Sequence, residues 1–430
     1  MKDFIQKNFK GDPIIWIVLL LLIAVSTLEM YSASTQISRE NYNSEIWRHF
    51  VFLATGFCII FAIHRNIHYK YFAKIGILLY PLAILALLLL IIAGKFINQP
   101  SGNLEIISGV LSVVKVNYAV RWMEVAGIQF QPSEIAKFSV VIVMAYILSK
   151  NQKKDESNKK AFIPAFIMLL IPCALIFKEN WSTSIILLVV GFCMMLLGRV
   201  STKQLSWMAG VAIVFLSVFL VRAWNKADEP YSPKSKTEQT QNITDRAGTW
   251  DNRIVSYIRF KRAKLDDTFK VNDDNRQMVQ AKIAIANSRF FGVGPGKRVQ
   301  SRTLPLAYSD FIYVVIIEEL GFIGGFIVMM LYFILLFRAG VLANKCLSAF
   351  PVLLVLGSTC MIVMPALVNM AVAVGLFPIT GQPLPMISHG GTSIIVTSLY
   401  FGMILSVSKH IKEEEEQIKV QTKENQTVTS

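Results

Sequence analysis

Long apolar runs alternate with short polar segments along most of this chain of 430 residues. A helix that crosses a hydrocarbon core of ~30 Å needs about 20 apolar residues, and roughly ten runs approach that length. The pattern therefore predicts an all-α polytopic membrane protein with about ten transmembrane helices. The predicted spans are residues 13–34, 47–64, 72–96, 134–150, 162–177, 181–199, 204–222, 311–337, 350–376 and 387–408.

Two longer polar segments interrupt these runs, at about 97–133 and, between spans seven and eight, at about 223–309. The first half of the larger loop, residues 225–253, is polar and rich in turn formers, which indicates irregular structure. Its second half has apolar residues at helical spacing from about residue 275, followed by glycines, which predicts an amphipathic helix at the membrane surface. Residues 1–410 then form one transmembrane domain, and 411–430 a charged tail that we expect to be solvated and partly disordered.

Composition agrees with lipid as the solvent, because the chain is 54% hydrophobic and only 17% charged, whereas soluble domains are about a quarter charged. Basic residues concentrate in the short loops on the side of both termini, which places the termini in the cytoplasm and the long loop on the opposite side of the membrane. The net charge of +15 needs no nucleic-acid partner, since anionic headgroups account for it. Four of the five cysteines fall in apolar spans, Cys346 lies between the eighth and ninth spans, and all five are interpreted as buried thiols. The first span is too long for a cleaved signal peptide.

An acidic residue stands where the eighth span begins, in the segment SRTLPLAYSDFIYVVIIEELGFIGG, residues 301–325. An ionised Asp310 at the membrane is costly and is a functional candidate by default, yet aspartate is also a favoured helix N-cap. Spacing alone leaves capping and catalysis equally open. Glu318 and Glu319 lie ~12–14 Å further along a helix and are predicted to bond helix ends or basic groups inside the bundle.

Other candidates lie at and just before the start of the fourth span, in the segment QFQPSEIAK, residues 129–137. Glu134 and Lys137 share a helix face at i,i+3, which predicts either a local ion pair or an inward Lys137 that neutralises a carboxylate or phosphate. Arg121 with Trp122 is typical of a phosphate contact and equally of an aromatic-belt anchor.

Two glycine-rich segments complete the candidates. In GVGPGKR, residues 292–298, Gly294 and Gly296 could present backbone N–H groups to a phosphate beside Lys297, although the Walker pattern is absent. The segment GLFPITGQPLPMISHGGTS, residues 375–393, predicts a re-entrant turn that lines a cavity, because non-helical backbone at membrane depth must be shielded from lipid. This turn contains Ser388, a candidate substrate-binding residue, and His389, interpreted as structural.

Taken in order, four segments resemble the SEDS family (shape, elongation, division and sporulation): RWMEVAGIQFQPSEIAK, ENWSTS, FFGVGPGK with LPLAYSDFIYVVIIEELGFIG, and VGLFPITGQPLPMISHGGTS. The resemblance covers nearly all of the transmembrane chain and is strongest to division-type members, with elongation-type members as the alternative. It implies a peptidoglycan glycosyltransferase that polymerises lipid II during septal wall synthesis.

The resemblance assigns residues as well. The family's essential aspartate matches Asp310, and its Arg-Trp and Gln-Pro-Ser-Glu-x-x-Lys elements match Arg121–Trp122 and Gln131–Lys137. The chain departs from the family where members carry further acids or polar groups, which concentrates the catalytic prediction on Asp310. The departing residues are Asn180, Arg302, Leu306, Tyr308 and Ser309.

The implied reaction is attack of a sugar hydroxyl on an anomeric carbon, with undecaprenyl diphosphate leaving. Asp310 would be the general base, with Arg121, Lys137 and Lys297 as charge partners for the diphosphate. No metal site is predicted, although Asp310 could instead hold a divalent cation, Mg²⁺ or Mn²⁺, on the diphosphate. Implied partners are a class B penicillin-binding protein and other division membrane proteins. Two alternatives stay open: a lipid II flippase or transporter, and a non-catalytic scaffold of the division machinery.

Overall fold

The computed structural model describes residues 9–34, 42–97, 102–107, 110–116, 119–125, 127–150, 152, 158–177, 179–228, 246–262, 271, 275–301, 304 and 309–428. Its elements, in chain order, are α1 Pro13–Ser34, α2 Tyr42–Asn66, α3 Lys70–Gly94, β1 Gly102–Ile107, β2 Leu111–Val116, β3 Ala119–Val125, β4 Ile128–Phe130, α4 Pro132–Lys150, α5 Lys159–Phe177, α6 Trp181–Leu197, α7 Thr202–Asp228, α8 Arg246–Arg262, α9 Arg276–Asn287, α10 Ile312–Lys345, α11 Ala349–Ala373 and α12 Gly391–Val428.

The predicted polytopic helical architecture is confirmed. Within the described ranges, nine helices are long and apolar enough to cross a membrane, namely α1 to α5, α7 and α10 to α12. Helix α6 is apolar as well but has 17 residues. Helices α4, α11 and α12 are the most buried of the membrane helices. Helix α11 packs against α4, α6, α10 and α12, and this central group positions the candidate site.

A small antiparallel sheet stands in the first polar segment, with the strand order β1-β2-β3-β4. The sequence did not predict it. Its inner face packs on the end of α3, where a separate apolar cluster forms from Leu90, Ala93, Ile97, Val113, Val120 and Met123. The strands are short and rich in β-branched residues, and the packing on α3 supplies the burial that a short meander needs.

The long loop contains more helix than predicted. The amphipathic helix is confirmed as α9, which buries Met278, Ala281 and Ala284. Residues 246–253, interpreted as irregular, instead begin α8, while residues 229–245 lie outside the described residues. Helix α8 packs its Ile254 and Val255 against Ala223 of α7, a helix that is otherwise almost wholly exposed.

The charged tail is also helical, so the prediction of a partly disordered end beyond residue 410 is wrong for residues 411–428. Helix α12 runs from Gly391 to Val428 without a break. Glu413 and Glu415 form ion pairs with Lys10 and Lys345, which tie this helix to the N-terminal segment and to the end of α10.

Helix α10 is interrupted at Gly321, whose backbone (φ 74°, ψ −176°) is not helical. The loop after α9 docks there through its backbone, so close that a side chain at Gly292 or Gly321 would collide with the facing carbonyl. Four hydrogen bonds replace those the helix loses: Val293 N–H to Glu318 O (2.9 Å), Gly294 N–H to Glu319 O (2.9 Å), Phe322 N–H to Arg289 O (3.3 Å) and Ile323 N–H to Phe290 O (3.4 Å).

Of the two acids beside this interruption, Glu319 lies beside a basic group as predicted, whereas Glu318, among the described residues, bonds the backbone of the loop and not a helix end or a basic group. The Glu318 carboxylate accepts hydrogen bonds of 2.9 Å from the backbone N–H groups of Val299, Gln300 and Ser301. The buried Glu319 accepts a hydrogen bond from Ser32 of α1 and lies 3.6 Å from Nε of Arg298. Glu318 therefore holds the loop on α10, and Glu319 holds both α1 and the loop on it.

Candidate active site

Asp310 lies two residues before α10, half-buried, where the long loop meets the membrane helices. The N-cap of α10 is Phe311, and the helix has no side-chain capping hydrogen bond among the described residues. The hypothesis that Asp310 caps its helix is therefore wrong. Its carboxylate instead accepts a hydrogen bond of 3.1 Å from the Ser309 hydroxyl, which leaves most of its lone pairs for other partners.

Arg253 of α8 comes beside this carboxylate. Its Nη1 donates to the carbonyl of Ile379 (3.3 Å) and its side chain is exposed. Gly381, in the re-entrant turn, faces both groups: a Cβ built on it would lie 3.6 Å from Asp310 Oδ2 and 3.7 Å from Arg253 Nη1. A single carbon added at this glycine would thus be in ordinary van der Waals contact with both an acid and a cation, so the turn approaches both groups closely, with φ of 66° at Gly381.

Arg121 supplies a second positive charge that acts on Asp310. It projects from β3, and its guanidinium donates from Nε (3.0 Å) and Nη2 (2.6 Å) to the carbonyl of Glu179, just after α5. The sheet that the sequence did not predict is therefore the element that holds Arg121 in place.

Opposing influences set the pKa of Asp310. Burial raises it above the usual value for aspartate and outweighs the Ser309 hydroxyl, Arg253 and Arg121, all of which lower it. A carboxylate with a raised pKa is a stronger base than a free one, which suits proton abstraction.

Two polar side chains tie the backbone around Asp310 to the re-entrant turn. The Ser388 hydroxyl donates to the carbonyl of Ser309 (2.7 Å) and accepts from the backbone N–H of Leu384 (2.7 Å). The Asn369 amide donates to the carbonyls of Asp310 (2.9 Å) and Gln382 (2.7 Å). Non-helical backbone here is thus paired within the protein, as the prediction of a shielded re-entrant turn requires.

The other predicted residues lie elsewhere. Lys137 is buried and bonds Glu134 at 2.7 Å, which is the predicted i,i+3 ion pair. Lys297 is exposed, and Gly294 and Gly296 lie in the loop that docks on α10, where the Gly294 N–H already bonds Glu319. In the described part of the chain, the cations that act on Asp310 are Arg253 and Arg121, not Lys137 or Lys297.

Of the residues that the structure brings together here, the sequence singled out Asp310, Arg121 and Ser388 as candidates but not Arg253 and Asn369, and the functional roles of the first three stay predictions. Arg253 belongs to a stretch interpreted as irregular, although the following apolar residues in RIVSYIRF signal a helix start. Asn369 stands alone as a polar residue in the last turns of an apolar helix, and an intramembrane polar group of this kind is the signal that could have found it. Among the described residues, no three His, Cys, Asp or Glu side chains group as metal ligands.

Comparison with known proteins identifies the family. The FtsW/RodA/SpoVE family model, described as "Cell cycle protein", matches residues 12–413. A probable peptidoglycan glycosyltransferase FtsW from Trichlorobacter lovleyi is 28% identical over 422 residues, covering 96% of this chain and 97% of that protein. Stage V sporulation protein E from Bacillus subtilis is 26% identical over 413 residues, covering 94% and 98%.

Solved structures confirm the fold. A chain from a structure on coordination of polymerization and crosslinking by a peptidoglycan synthase complex aligns with a TM-score of 0.66 at 20% identity, covering 93% of this chain and 98% of that one. The rod shape determining protein RodA of Thermus thermophilus aligns with a TM-score of 0.59 at 19% identity, covering 93% and 97%. The resemblance to the SEDS family is therefore confirmed, and the chain belongs to the FtsW/RodA/SpoVE family of cell cycle proteins.

Proposed function

We propose that this protein is a peptidoglycan glycosyltransferase that polymerises lipid II, with Asp310 as the general base. The observation that carries the proposal is the Asp310 carboxylate itself, which caps no helix and lies under the influence of two arginines where the re-entrant turn approaches it at Gly381. Relatives that match nearly the whole chain are named probable peptidoglycan glycosyltransferases, and this supports the same reaction here.

In the proposed step, a sugar hydroxyl of one lipid-linked saccharide attacks the anomeric carbon of another. Asp310 accepts the hydroxyl proton, the bond from the anomeric carbon to the diphosphate oxygen breaks, and the lipid diphosphate leaves. Arg253 and Arg121 stabilise the charge that accumulates on the leaving group. Direct displacement inverts the anomeric centre. A divalent cation on the diphosphate, if one takes part, would meet Asp310 as its carboxylate ligand.

The test is glycan-strand formation from lipid II by the purified full chain in detergent. Asp310→Asn keeps the shape of the side chain but removes its basicity, so we expect a folded protein whose rate falls by roughly 10²–10⁴-fold. Glu124→Gln, a change of the same kind on β3 away from the carboxylate, should keep the wild-type rate. Near-normal synthesis by folded Asp310→Asn would refute the role of this residue.

The detergent assay and a growth complementation test separate the two alternatives. A flippase needs two membrane faces, so strand formation in detergent argues for polymerisation. A scaffold needs no carboxylate at this position, so complementation of growth by Asp310→Asn would favour a scaffold.

We further propose that the protein resides in the bacterial inner membrane with both termini in the cytoplasm and Asp310 outside. Its proposed partner is a class B penicillin-binding protein, which would supply crosslinking, together with other division membrane proteins. A structural relative comes from a peptidoglycan synthase complex, which supports such a partner. Co-purification of the two tagged proteins and strand formation with and without the partner test this proposal.

A further inference from the structure

Asn369 is a buried side chain that links the two segments that approach each other at Asp310 and Gly381. It lies in α11 with 1% of its surface exposed. Both hydrogens of its amide nitrogen are used, one on the carbonyl of Asp310 (2.9 Å) and one on the carbonyl of Gln382 (2.7 Å). Helix α11 thereby holds both Asp310 and the re-entrant turn opposite it.

The second bond matters because Gln382 directly follows Gly381. The position of the Gln382 carbonyl determines how close Gly381 lies to Asp310 Oδ2 and Arg253 Nη1, which are the groups that its absent Cβ would contact. The Gln382 side chain in turn donates to the Thr183 hydroxyl (3.0 Å) at the start of α6. A change at Asn369 therefore alters the spacing between the carboxylate and the turn, not only the local bond.

The chemistry of the residue is specific. A neutral amide offers two N–H donors on one nitrogen, whereas an ionised carboxylate of the same shape offers none. The amide oxygen Oδ1 is buried and has no hydrogen-bond partner in the described structure, so the two donors, not the acceptor, give this side chain its use. An unpaired buried acceptor is unfavourable, and an apolar residue would avoid that cost.

We propose that Asn369 is a positioning residue for the reaction, which holds Asp310 and the re-entrant turn at the separation that the transferring sugar requires. This inference rests on the proposed function. Misplacement of a reacting group by about 1 Å can lower a rate by 10²-fold, so the predicted effect falls on kcat and not on binding.

The first test uses backbone hydrogen exchange on the full chain in detergent and needs no activity. Asn369→Asp keeps the size of the side chain but sets a carboxylate against two carbonyl oxygens. We expect faster exchange at 309–314 and at 379–390. The matched control is Thr359→Val in the same helix, because the Thr359 hydroxyl is buried without a partner in the described residues; it should leave both segments unchanged. Unchanged exchange in Asn369→Asp would overturn the proposal.

The second test measures polymerisation of lipid II by the same proteins. We expect kcat of Asn369→Asp to fall roughly 10- to 100-fold with a nearly unchanged KM. Asn369→Gln keeps both donors but displaces them by one methylene, so an intermediate kcat is expected, and this variant serves if Asn369→Asp does not fold. A lower unfolding temperature with wild-type kcat would show a merely structural role. Absence of polymerisation by the wild type would refute the proposed function instead, and exchange alone would then decide whether the tie exists.

Discussion

The Asp310 carboxylate combines burial with two neighbouring arginines, and these influences on its pKa oppose each other. Burial raises the pKa, while Arg253 and Arg121 lower it. In the proposed reaction, each arginine therefore affects two quantities. These are the basicity of the Asp310 carboxylate and the positive charge that stabilises the leaving diphosphate. The side chain of Arg253 is the exposed one, on the loop helix α8, so it can be changed with little effect on the membrane core.

We predict that Arg253→Gln lowers the rate and moves the acidic limb of the pH–rate profile to higher pH. The sign follows from the charge: Arg253 lowers the pKa of Asp310, so its removal raises this pKa, and a base with a higher pKa becomes protonated at a higher pH on acidification. The measurement is the initial rate of glycan-strand formation across the acidic range.

Lys261→Gln is the matched control, because Lys261 is an exposed cation on the same helix. It should leave the acidic limb in place. A limb that moves to lower pH in Arg253→Gln, or moves equally in both variants, would contradict direct action of Arg253 on Asp310.

Among single residues, the sequence singled out the candidate acid but not its surroundings. Asp310 was visible because an acid is rare where an apolar run begins. Its cap role could not be decided from spacing, since Phe311 takes the N-cap position only once the preceding backbone is placed. Arg253 is 57 positions away in the sequence (310 minus 253), and nothing local shows that the long loop folds back over Asp310.

Helix α10 depends on another segment for part of its backbone hydrogen bonding. Its interruption at Gly321 removes helical backbone bonds, and the loop at 289–294 replaces them. The part of the helix after Gly321 has about 24 residues, or ~36 Å at 1.5 Å per residue, which suffices to cross a bilayer core. The shorter first part is thus free to carry Glu318 and Glu319, with Asp310 just before it.

We predict that Gly321→Ala strongly destabilises the protein while Gly340→Ala in the same helix does not. A side chain at 321 meets the backbone of Phe290 in a conformation with φ of 74°, whereas nothing lies within 4 Å of one at 340. Gly340→Ala should be neutral or stabilising by up to about 1 kcal/mol. Thermal unfolding in detergent gives the comparison.

Similar unfolding temperatures for Gly321→Ala and Gly340→Ala would mean that the loop does not dock on the interruption as described, and that Glu318 and Glu319 need another account.

Elements were predictable in proportion to their length. The long membrane helices follow from hydropathy, because lipid requires about 20 apolar residues in succession. The sheet could not be predicted from hydropathy, because its four strands have three to seven residues each and their burial depends on α3. Helix α8 could not be recognised easily, because its polar first half obscures the helical spacing of the apolar residues in its second half.

Across the whole molecule, the site and the ion pairs of the terminal segments lie at opposite ends of α10. Asp310 precedes its first turn, while Arg338 and Lys345, near its last turn, pair with Asp12 and Glu415. The predicted cytoplasmic position of the termini therefore implies that Asp310 is on the other side of the membrane.

We predict that, in a cysteine-free background, Ile128→Cys reacts with a membrane-impermeant maleimide on cells whose outer barrier is opened, while Glu416→Cys reacts only after the inner membrane is permeabilised. Ile128, in β4, is 70% exposed, and Glu416 is exposed as well, so access to the reagent and not burial decides labelling. Reversed labelling would place Asp310 on the cytoplasmic side and exclude outward wall synthesis.

The docking of the glycine loop on α10 has a consequence for biosynthesis. Each backbone N–H or C=O group that a helix brings into lipid without a hydrogen-bond partner costs several kcal/mol of free energy. Residues 289–294, which pair with those groups, precede α10 in the chain and leave the ribosome before it. The partner is therefore already made when the broken helix inserts, and α10 can enter the membrane with its defect covered instead of waiting for a later segment to arrive.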